Sequence, residues 1–373
     1  MSKNFLYQFN WFLIAFSLIA TVINPYLGGI TLYLWFFLIF FDFSFIQKLK
    51  YIPRKFLILM LLWLSYCLLK LNFSDAFKIS ALFLGVGYLC LMDKEIYPKL
   101  KAAFYISCLF CIVQFVFYWI NPTFSSSIAG SNLSATIWGE KLATPGFVNQ
   151  YKVLFLPRMG GLSREAGFFA SLVIIMALII YTREKTNIKE KTIHLSAYIF
   201  SLSKVSFSNL IIVILFPFRK LINKIPLALT FIFISLTFIL VAFFLKMDAN
   251  HFGVYNESLA HRFSSSFLIP KMGIQEFLIG CFDYSTCQVL NNSNLINDLL
   301  DKQLYPNTGI NGVFVDFGLL GFLLLIFSYW WLGLKSFDIL ILSVMTATVS
   351  VYTIDNFVIL TYYFIFTYRK YFN

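Results

Sequence analysis

The sequence has little charge. Asp, Glu, Lys and Arg make up 12% of its 373 residues, whereas about 25% is typical of a soluble domain. It has six cysteines and three histidines, and no lipidation motif, heptad array or low-complexity tract. This composition excludes a soluble globular enzyme, a disordered chain and a small disulfide framework.

Several motifs that carry chemistry are also absent. The sequence has no HExxH, no carboxylate-rich DxD cluster, no glycine-rich phosphate loop after a strand and no GxSxG elbow. These absences argue against a metal site, nucleotide hydrolysis and an activated serine nucleophile. No metal or other cofactor is therefore expected.

Apolar residues dominate the sequence instead. They occupy 60% of the positions, and phenylalanine alone occupies 46. A helix needs about 20 apolar residues to cross a bilayer, and hydropathy together with helix-breaking residues divides the chain into twelve candidate spans. The predicted spans are 5–23, 26–46, 56–69, 76–92, 102–120, 165–182, 192–203, 206–218, 225–245, 310–332, 337–353 and 356–368. We predict an all-α polytopic membrane protein, a single integral membrane domain over 1–373 with about 12 transmembrane helices and two long outward-facing loops.

The distribution of Lys and Arg predicts the orientation. The net charge is +12, and with the N-terminus inside, 18 of the 29 cations fall in short inner segments such as 183–191. Cytoplasmic loops of membrane proteins are enriched in these residues. Both termini are therefore predicted to be cytoplasmic, and the loops 121–164 and 246–309 to face outward. We interpret the net positive charge first as a result of the membrane topology and second as a sign of an anionic ligand. A nucleic-acid partner is not expected.

Polar and sulfur-containing side chains in the predicted spans need apolar or paired surroundings. Asp42, Lys78, Gln114 and Asp316 would be costly against lipid, so we expect them to face the bundle interior. Local pairing and a proton or substrate path are the two interpretations. Four of the six cysteines lie in spans, where a thiol behaves as a small apolar side chain.

The other two cysteines share the second outer loop. Cys281 and Cys287 stand in Cys-Phe-Asp-Tyr-Ser-Thr-Cys, in a compartment where disulfides persist. The sequence leaves open whether they pair. A disulfide here would be structural rather than catalytic.

Cations on the predicted outer face are the main candidates for a binding site. The stretch 157–170 places Arg158, Arg164 and Glu165 at the start of a span. Arg164 and Glu165 form either an interfacial ion pair or part of an anion site, because a guanidinium matches phosphate oxygens bidentately.

The second outer loop has a similar basic segment, which contains His261, Arg262 and Lys271. An acidic stretch follows it, which suits either a sugar-binding surface or a merely solvated one, and the solvated surface is the simpler interpretation. If the two basic segments converge, this one faces Arg158 and Arg164 across one outward cavity.

Four stretches, in this order, resemble the motifs of one family. They are Gly161-Leu162-Ser163-Arg164-Glu165-Ala166-Gly167-Phe168-Phe169-Ala170, Ser201-Leu202-Ser203-Lys204-Val205-Ser206, Ala260-His261-Arg262-Phe263, and Asn307-Thr308-Gly309 through Asp316-Phe317-Gly318-Leu319-Leu320-Gly321. The chain thereby resembles bacterial O-antigen polymerases of the Wzy type, within the O-antigen polymerase and ligase group. It departs from the pattern in two places. Ala166-Gly167 replaces the commoner Pro-Ser, and Asn307 stands where related ligases often carry histidine, which excludes a histidine base at that position.

The resemblance implies a reaction at the outer face of the plasma membrane. A growing glycan on undecaprenyl diphosphate would be transferred to the sugar end of another lipid-linked repeat unit, forming O-antigen or a capsule-like polysaccharide. The leaving diphosphate needs fixed cations, and the attacking hydroxyl needs a general base. The activated donor supplies the energy, so the resemblance implies neither ATP nor a metal.

The resemblance also implies residue roles. Arg164, Glu165 and Arg262 are the predicted catalytic residues. Substrate binding is predicted for Arg158, His261, Lys271 and Asn307. The arginines would hold the diphosphate, and the general base would be Glu165, provided that Arg164 does not neutralise it, or else His261.

The implied setting is the bacterial inner membrane. The expected partners are undecaprenyl-diphosphate-linked glycans, the lipid bilayer, and a chain-length regulator and a flippase of the same pathway. Three alternatives stay open: an O-antigen ligase or related lipid-linked glycan transferase, a flippase for the same lipid, and a non-catalytic assembly component. The concentration of arginines at one face argues against a flippase, in which charges are expected in the middle of the spans.

Overall fold

A computed structural model describes residues 3–27, 30–144, 152–153, 156–247, 252, 256–281, 287–291, 294–300 and 304–371. The described chain is mostly helical. Two short antiparallel hairpins are the exception: β1 (Tyr26–Leu27) pairs with β2 (Ile30–Thr31), and β3 (Lys152–Val153) pairs with β4 (Leu156–Pro157).

The helices follow one another closely along the chain. They are α1 (Lys3–Ile19), α2 (Leu34–Leu38), α3 (Phe43–Lys48), α4 (Arg54–Leu69), α5 (Phe73–Leu91), α6 (Asp93–Ile120), α7 (Pro122–Ser127), α8 (Gly130–Trp138), α9 (Ala166–Arg183), α10 (Ile188–Ser201), α11 (Lys204–Leu215), α12 (Arg219–Ile222), α13 (Leu227–Phe244), α14 (Glu257–Leu268), α15 (Ile274–Ile279), α16 (Gln288–Asn291), α17 (Asn294–Leu300), α18 (Gly312–Trp331), α19 (Ser336–Met345) and α20 (Asn356–Tyr368).

Five of the described helices are long and apolar enough to cross a membrane: α5, α6, α9, α13 and α18. A sixth candidate is the bent pair of Phe43–Tyr51 and Arg54–Leu69, which turns by 98°. Three shorter apolar helices cover Phe5–Ile19, Ser336–Met345 and Asn356–Tyr368. The protein is thus an all-α membrane protein with five or six candidate spans among the described residues, and the twelve predicted spans stay a prediction.

The predicted span 26–46 differs most from the structure, because it contains β1, β2, α2 and the start of α3 rather than one helix. Asp42 explains the break before α3. Its carboxylate accepts the backbone N–H groups of Ser44 at 3.0 Å and Phe45 at 3.3 Å, and so caps a new helix. The same buried carboxylate accepts hydrogen bonds from Trp11 Nε1 and Tyr88 Oη.

The remaining polar residues of the predicted spans are also accommodated. Gln114 is buried and donates to the carbonyl oxygens of Ile128 and Gly161, and Asp316 is buried. Lys78 lies closer to the surface and pairs with Asp75 at 3.1 Å. The expected interior placement is confirmed for Asp42, Gln114 and Asp316. It is wrong for Lys78, whose side chain is 43% exposed and pairs locally.

The chain divides into two compact units. The first contains residues 1–52, 84–211 and 355–373. Its core helix is α9, which is buried along most of its length and packs against α10 and α20, while α1 packs along α6. An apolar helix buried on all sides forms the centre of a membrane bundle rather than its lipid-facing rim.

The second unit contains residues 53–83 and 212–354. Here α13 packs against α14 and α19, and α15 packs against α18. A disulfide joins Cys281 and Cys287 within an apolar cluster that also contains Leu268 and Leu290. The possible pairing of these cysteines is therefore confirmed, and the other four cysteines are buried thiols.

Candidate anion-binding site

A tight turn leads into the central helix of the first unit. Ser163 N–H donates to the Gly160 carbonyl at 2.9 Å, and Gly161 adopts a φ of +55°. A Cβ at Gly161 would lie 2.7 Å from the Phe169 ring, so only glycine fits this turn. Glu165, in extended backbone, is the N-cap residue of α9. The sequence thus folds here as a glycine turn followed by a helix N-terminus.

Arg164 is held by four neighbours of the first unit. Its Nη1 donates to Thr31 Oγ1 at 3.1 Å, and its Nη2 donates to Asp355 Oδ1 at 3.2 Å. Its guanidinium carbon lies 4.2 Å from the centre of the Phe168 ring, and its backbone N–H donates to Thr21 Oγ1. The ion pair of Arg164 is therefore with Asp355, which also accepts a hydrogen bond from Tyr33 Oη.

The Arg164 guanidinium stays charged in this setting. Burial alone would lower its pKa, but the oxygens of Tyr33, Asp355 and Glu165 outweigh burial and raise the pKa above its ordinary value. The guanidinium thus forms a fixed positive charge one residue before the N-cap of α9.

Glu165 points to a different group of side chains. A Cβ built on Gly167 would lie 3.1 Å from Glu165 Oε1, 3.5 Å from Ser203 Oγ and 3.7 Å from Arg158 Nη2. Arg158, only 8% exposed, also donates to Ser203 Oγ at 3.4 Å. These three polar groups therefore surround one point in the first turn of α9. No ion pair among the described residues includes Glu165.

This arrangement suits an anion. Backbone N–H groups at a helix N-terminus carry a partial positive charge and bind phosphate groups. Arg158 and Arg164 add two guanidinium charges at the same helix end, and Ser203 adds a hydroxyl donor. We call Arg158, Arg164, Glu165, Gly167 and Ser203 the α9 site.

The other predicted site residues belong to the second unit. His261 and Arg262 lie on α14, where their carbonyl oxygens accept hydrogen bonds from Thr308 Oγ1 at 3.1 and 3.2 Å. Asn307 therefore adjoins the turn that contacts α14. Lys271 is exposed, and its Nζ lies 3.7 Å from the centre of the Phe267 ring.

His261 is poorly suited to hold a proton at neutral pH. Burial, followed by the positive charge of Arg262, lowers its pKa to about 4, although a hydrogen bond with the Tyr305 backbone and the nearby Glu257 act in the opposite direction. The imidazole is therefore neutral at pH 7.

The structure brings Arg158, Arg164 and Glu165 together in the first unit. His261, Arg262, Lys271 and Asn307 lie in the second unit, and their convergence with the arginines of the first stays a prediction. His251, Asp283, Asp301 and Lys302, which the sequence assigns to the predicted second outer loop, lie outside the described residues. Among the described residues, no three His, Cys, Asp or Glu side chains are close enough to share a metal ion.

Sequence reasoning missed the three hydrogen-bond partners of Arg164, namely Thr21, Thr31 and Asp355. A carboxylate directly before an apolar run, as Asp355 is before α20, was an available signal, because such a charge needs a partner at the membrane boundary. Ser203 lies in one of the four stretches that resemble the family motifs, but its contact with Arg158 depends on tertiary packing.

Comparison of the chain with protein-family models, curated proteins and solved structures finds no match.

Proposed function

We propose that the protein is a glycosyltransferase that polymerises undecaprenyl-diphosphate-linked repeat units into O-antigen or a capsule-like polysaccharide. The observation that carries the proposal is the charge arrangement of the α9 site. Arg164 pairs with Asp355 rather than with Glu165, and Glu165 lies beside Arg158 and Ser203. A carboxylate next to a fixed cation is the pair of groups that this transfer needs.

The reaction uses these groups in two ways. A hydroxyl oxygen of the acceptor sugar attacks the anomeric carbon of the donor glycan, and the bond from that carbon to the diphosphate oxygen breaks. Arg158 and the first N–H groups of α9 stabilise the negative charge that develops on the leaving diphosphate. Glu165 accepts the proton of the attacking hydroxyl as general base.

Arg164 contributes to the reaction through its positive charge. Its two terminal nitrogens already donate to Thr31 and Asp355, so a bidentate grip on a diphosphate requires the exchange of at least one of these partners. We propose that Arg158 contacts the diphosphate together with the first N–H groups of α9, with its Nη2 exchanging Ser203 Oγ for a phosphate oxygen. Arg164 then supplies a second positive charge, and Arg262, His261, Lys271 and Asn307 of the second unit contribute to substrate binding.

The proposal includes the finer topology. With an even number of spans, cytoplasmic termini and outward loops at 121–164 and 246–309, the α9 site faces the outside of the bacterial inner membrane. Support comes from the crowding of Lys and Arg into the predicted inner segments. A chain-length regulator and a flippase of the same pathway are the proposed protein partners.

The deciding experiment is the lipopolysaccharide ladder of a strain that lacks the protein. A polymerase deficiency leaves lipid A-core carrying one repeat unit. Core with no repeat unit would contradict the proposal and indicate a ligase or a flippase. Those two differ in whether polymer accumulates on undecaprenyl diphosphate.

Point variants connect the activity to the site. Arg158→Lys and Arg262→Lys should shorten the ladder at normal membrane abundance, because a point charge does not reproduce a guanidinium fork, and the corresponding alanine variants should be worse. Lys141→Ala is the matched control, since Lys141 is an exposed loop cation and should tolerate the change. A full-length ladder from Arg158→Lys/Arg262→Lys at wild-type abundance would exclude a diphosphate clamp.

A further inference from the structure

Helix α18 is broken at Gly318, whose φ of +65° and ψ of −167° are not helical. A break of this kind takes three successive carbonyls out of the usual pattern of N–H donors four residues ahead. Buried carbonyls need other donors, and each of the three finds one. Val315 O accepts from Cys281 N–H at 2.8 Å, Asp316 O from Lys70 Nζ, and Phe317 O from Tyr66 Oη at 2.7 Å.

Lys70 donates to more than one carbonyl. Its Nζ also donates to Ile279 O at 2.7 Å and to Cys281 O at 3.4 Å. Three backbone carbonyls from two separate segments thus converge on one ammonium group. We call the carbonyl oxygens of Ile279, Cys281 and Asp316 the carbonyl cage.

The surroundings of the cage favour a positive charge. Lys70 is 6% exposed, and its Nζ lies 5.4 Å from the centre of the Phe317 ring. Burial lowers the pKa of Lys70 to about 8, while Asp316 and Asp75 oppose that shift. The amine is therefore still protonated at neutral pH and offers three N–H donors, one for each carbonyl of the cage.

Close packing of two backbone segments fixes the positions of the cage carbonyls. Gly280 and Gly318 both have positive φ, and a Cβ on either one would lie within 2.6 Å of the other segment's backbone. The carbonyls of Ile279, Cys281 and Asp316 therefore belong to two backbone segments in direct contact. Carbonyl oxygens fixed in this way replace the hydration shell of a cation.

We propose that the carbonyl cage is a monovalent-cation site that the chain fills from within, with the Lys70 ammonium as a tethered cation that closes the break in α18. The site recognises a compact cation with N–H donors. This inference does not depend on the proposed polymerase activity, because it concerns the fold of the second unit alone.

Chemical rescue of the full-length protein in detergent tests the proposal. Lys70→Ala should lower the apparent melting temperature by several degrees, and ethylammonium chloride should restore it, because its head group replaces the missing ammonium. Tetramethylammonium chloride at the same concentration has the same charge but no N–H donor, and it should not restore stability. Lys78→Ala is the matched control, since Lys78 pairs with a carboxylate at the surface and should not respond to ethylammonium.

Equal recovery with both salts, or a Lys70→Ala variant as stable as the wild type, would overturn the proposal. Amine labelling of the wild-type chain gives a second measurement that needs no variant. With a water-soluble acylating reagent, Lys70 should be modified about tenfold more slowly than Lys78 when peptides are quantified by mass spectrometry, because its reaction requires local opening. Equal rates at the two lysines would contradict the cage.

Discussion

Arg164 and Asp355 form an ion pair, and their contributions to the free energy of unfolding should be strongly coupled. The two side chains are 15% and 10% exposed, so removal of one leaves the other charge largely desolvated. Breaking a buried pair in this way costs about 3–5 kcal/mol. Arg164 keeps Thr31 and the Phe168 ring, and Asp355 keeps Tyr33, so we expect values near the lower end, about 3 kcal/mol, for Arg164→Leu and for Asp355→Leu.

A double-mutant cycle measures the coupling. The double variant Arg164→Leu/Asp355→Leu removes both charges and should be less destabilised than the sum of the single variants by about 1–3 kcal/mol. Apparent melting temperatures of purified protein in one detergent provide the assay. The matched control is Lys48→Leu, because Lys48 and Glu95 form an ion pair whose side chains are 34% and 28% exposed, and exposed pairs contribute about 0–1 kcal/mol. Additive effects of the two changes, or a loss no larger than in Lys48→Leu, would refute the reasoning.

Three further predictions concern the chemistry and the topology. Glu165→Gln should reduce polymerisation about 10²- to 10⁴-fold at normal abundance, as measured by ladder intensity, because it removes the general base but keeps the shape; an unchanged ladder would reject that role. Between pH 6.5 and 4 the unfolded chain binds a proton at His261, whereas the folded chain, in which the pKa of His261 is about 4, does not. The wild type should therefore lose up to about 3 kcal/mol of stability as the pH falls through this range. His261→Gln should lose less, and identical profiles of melting temperature against pH would contradict this. A single cysteine at Glu140 should react with an impermeant thiol reagent in intact spheroplasts, whereas one at Asn187 should not, and the opposite pattern would reverse the proposed orientation.

The sequence predicts some elements of this fold well. The run 356–368 coincides with α20 (Asn356–Tyr368), and 165–182 nearly coincides with α9 (Ala166–Arg183). In both cases a long apolar run begins next to a charged residue, so composition alone marks the start of the helix. The segment 26–46 was wrong as one span, because hydropathy does not register that Asp42 caps a new helix.

The candidate site was predictable in its residues but not in its pairing. The motif around Arg164 and Glu165 indicated a charged helix start, and the structure places it there. The choice of Asp355 over Glu165 as the partner of Arg164 joins residues 191 positions apart. Such a choice follows from the packing of α9 against α20, which one sequence without tertiary information does not specify.

The break in α18 has a consequence for the biogenesis of the protein. Tyr66 and Lys70 precede the carbonyls of Phe317 and Asp316 by 251 and 246 residues. During synthesis the end of α4 therefore leaves the ribosome long before its acceptors exist, and the broken helix follows only after most of the chain has been made. Because domains generally fold as units once their parts are available, the second unit should complete its packing late.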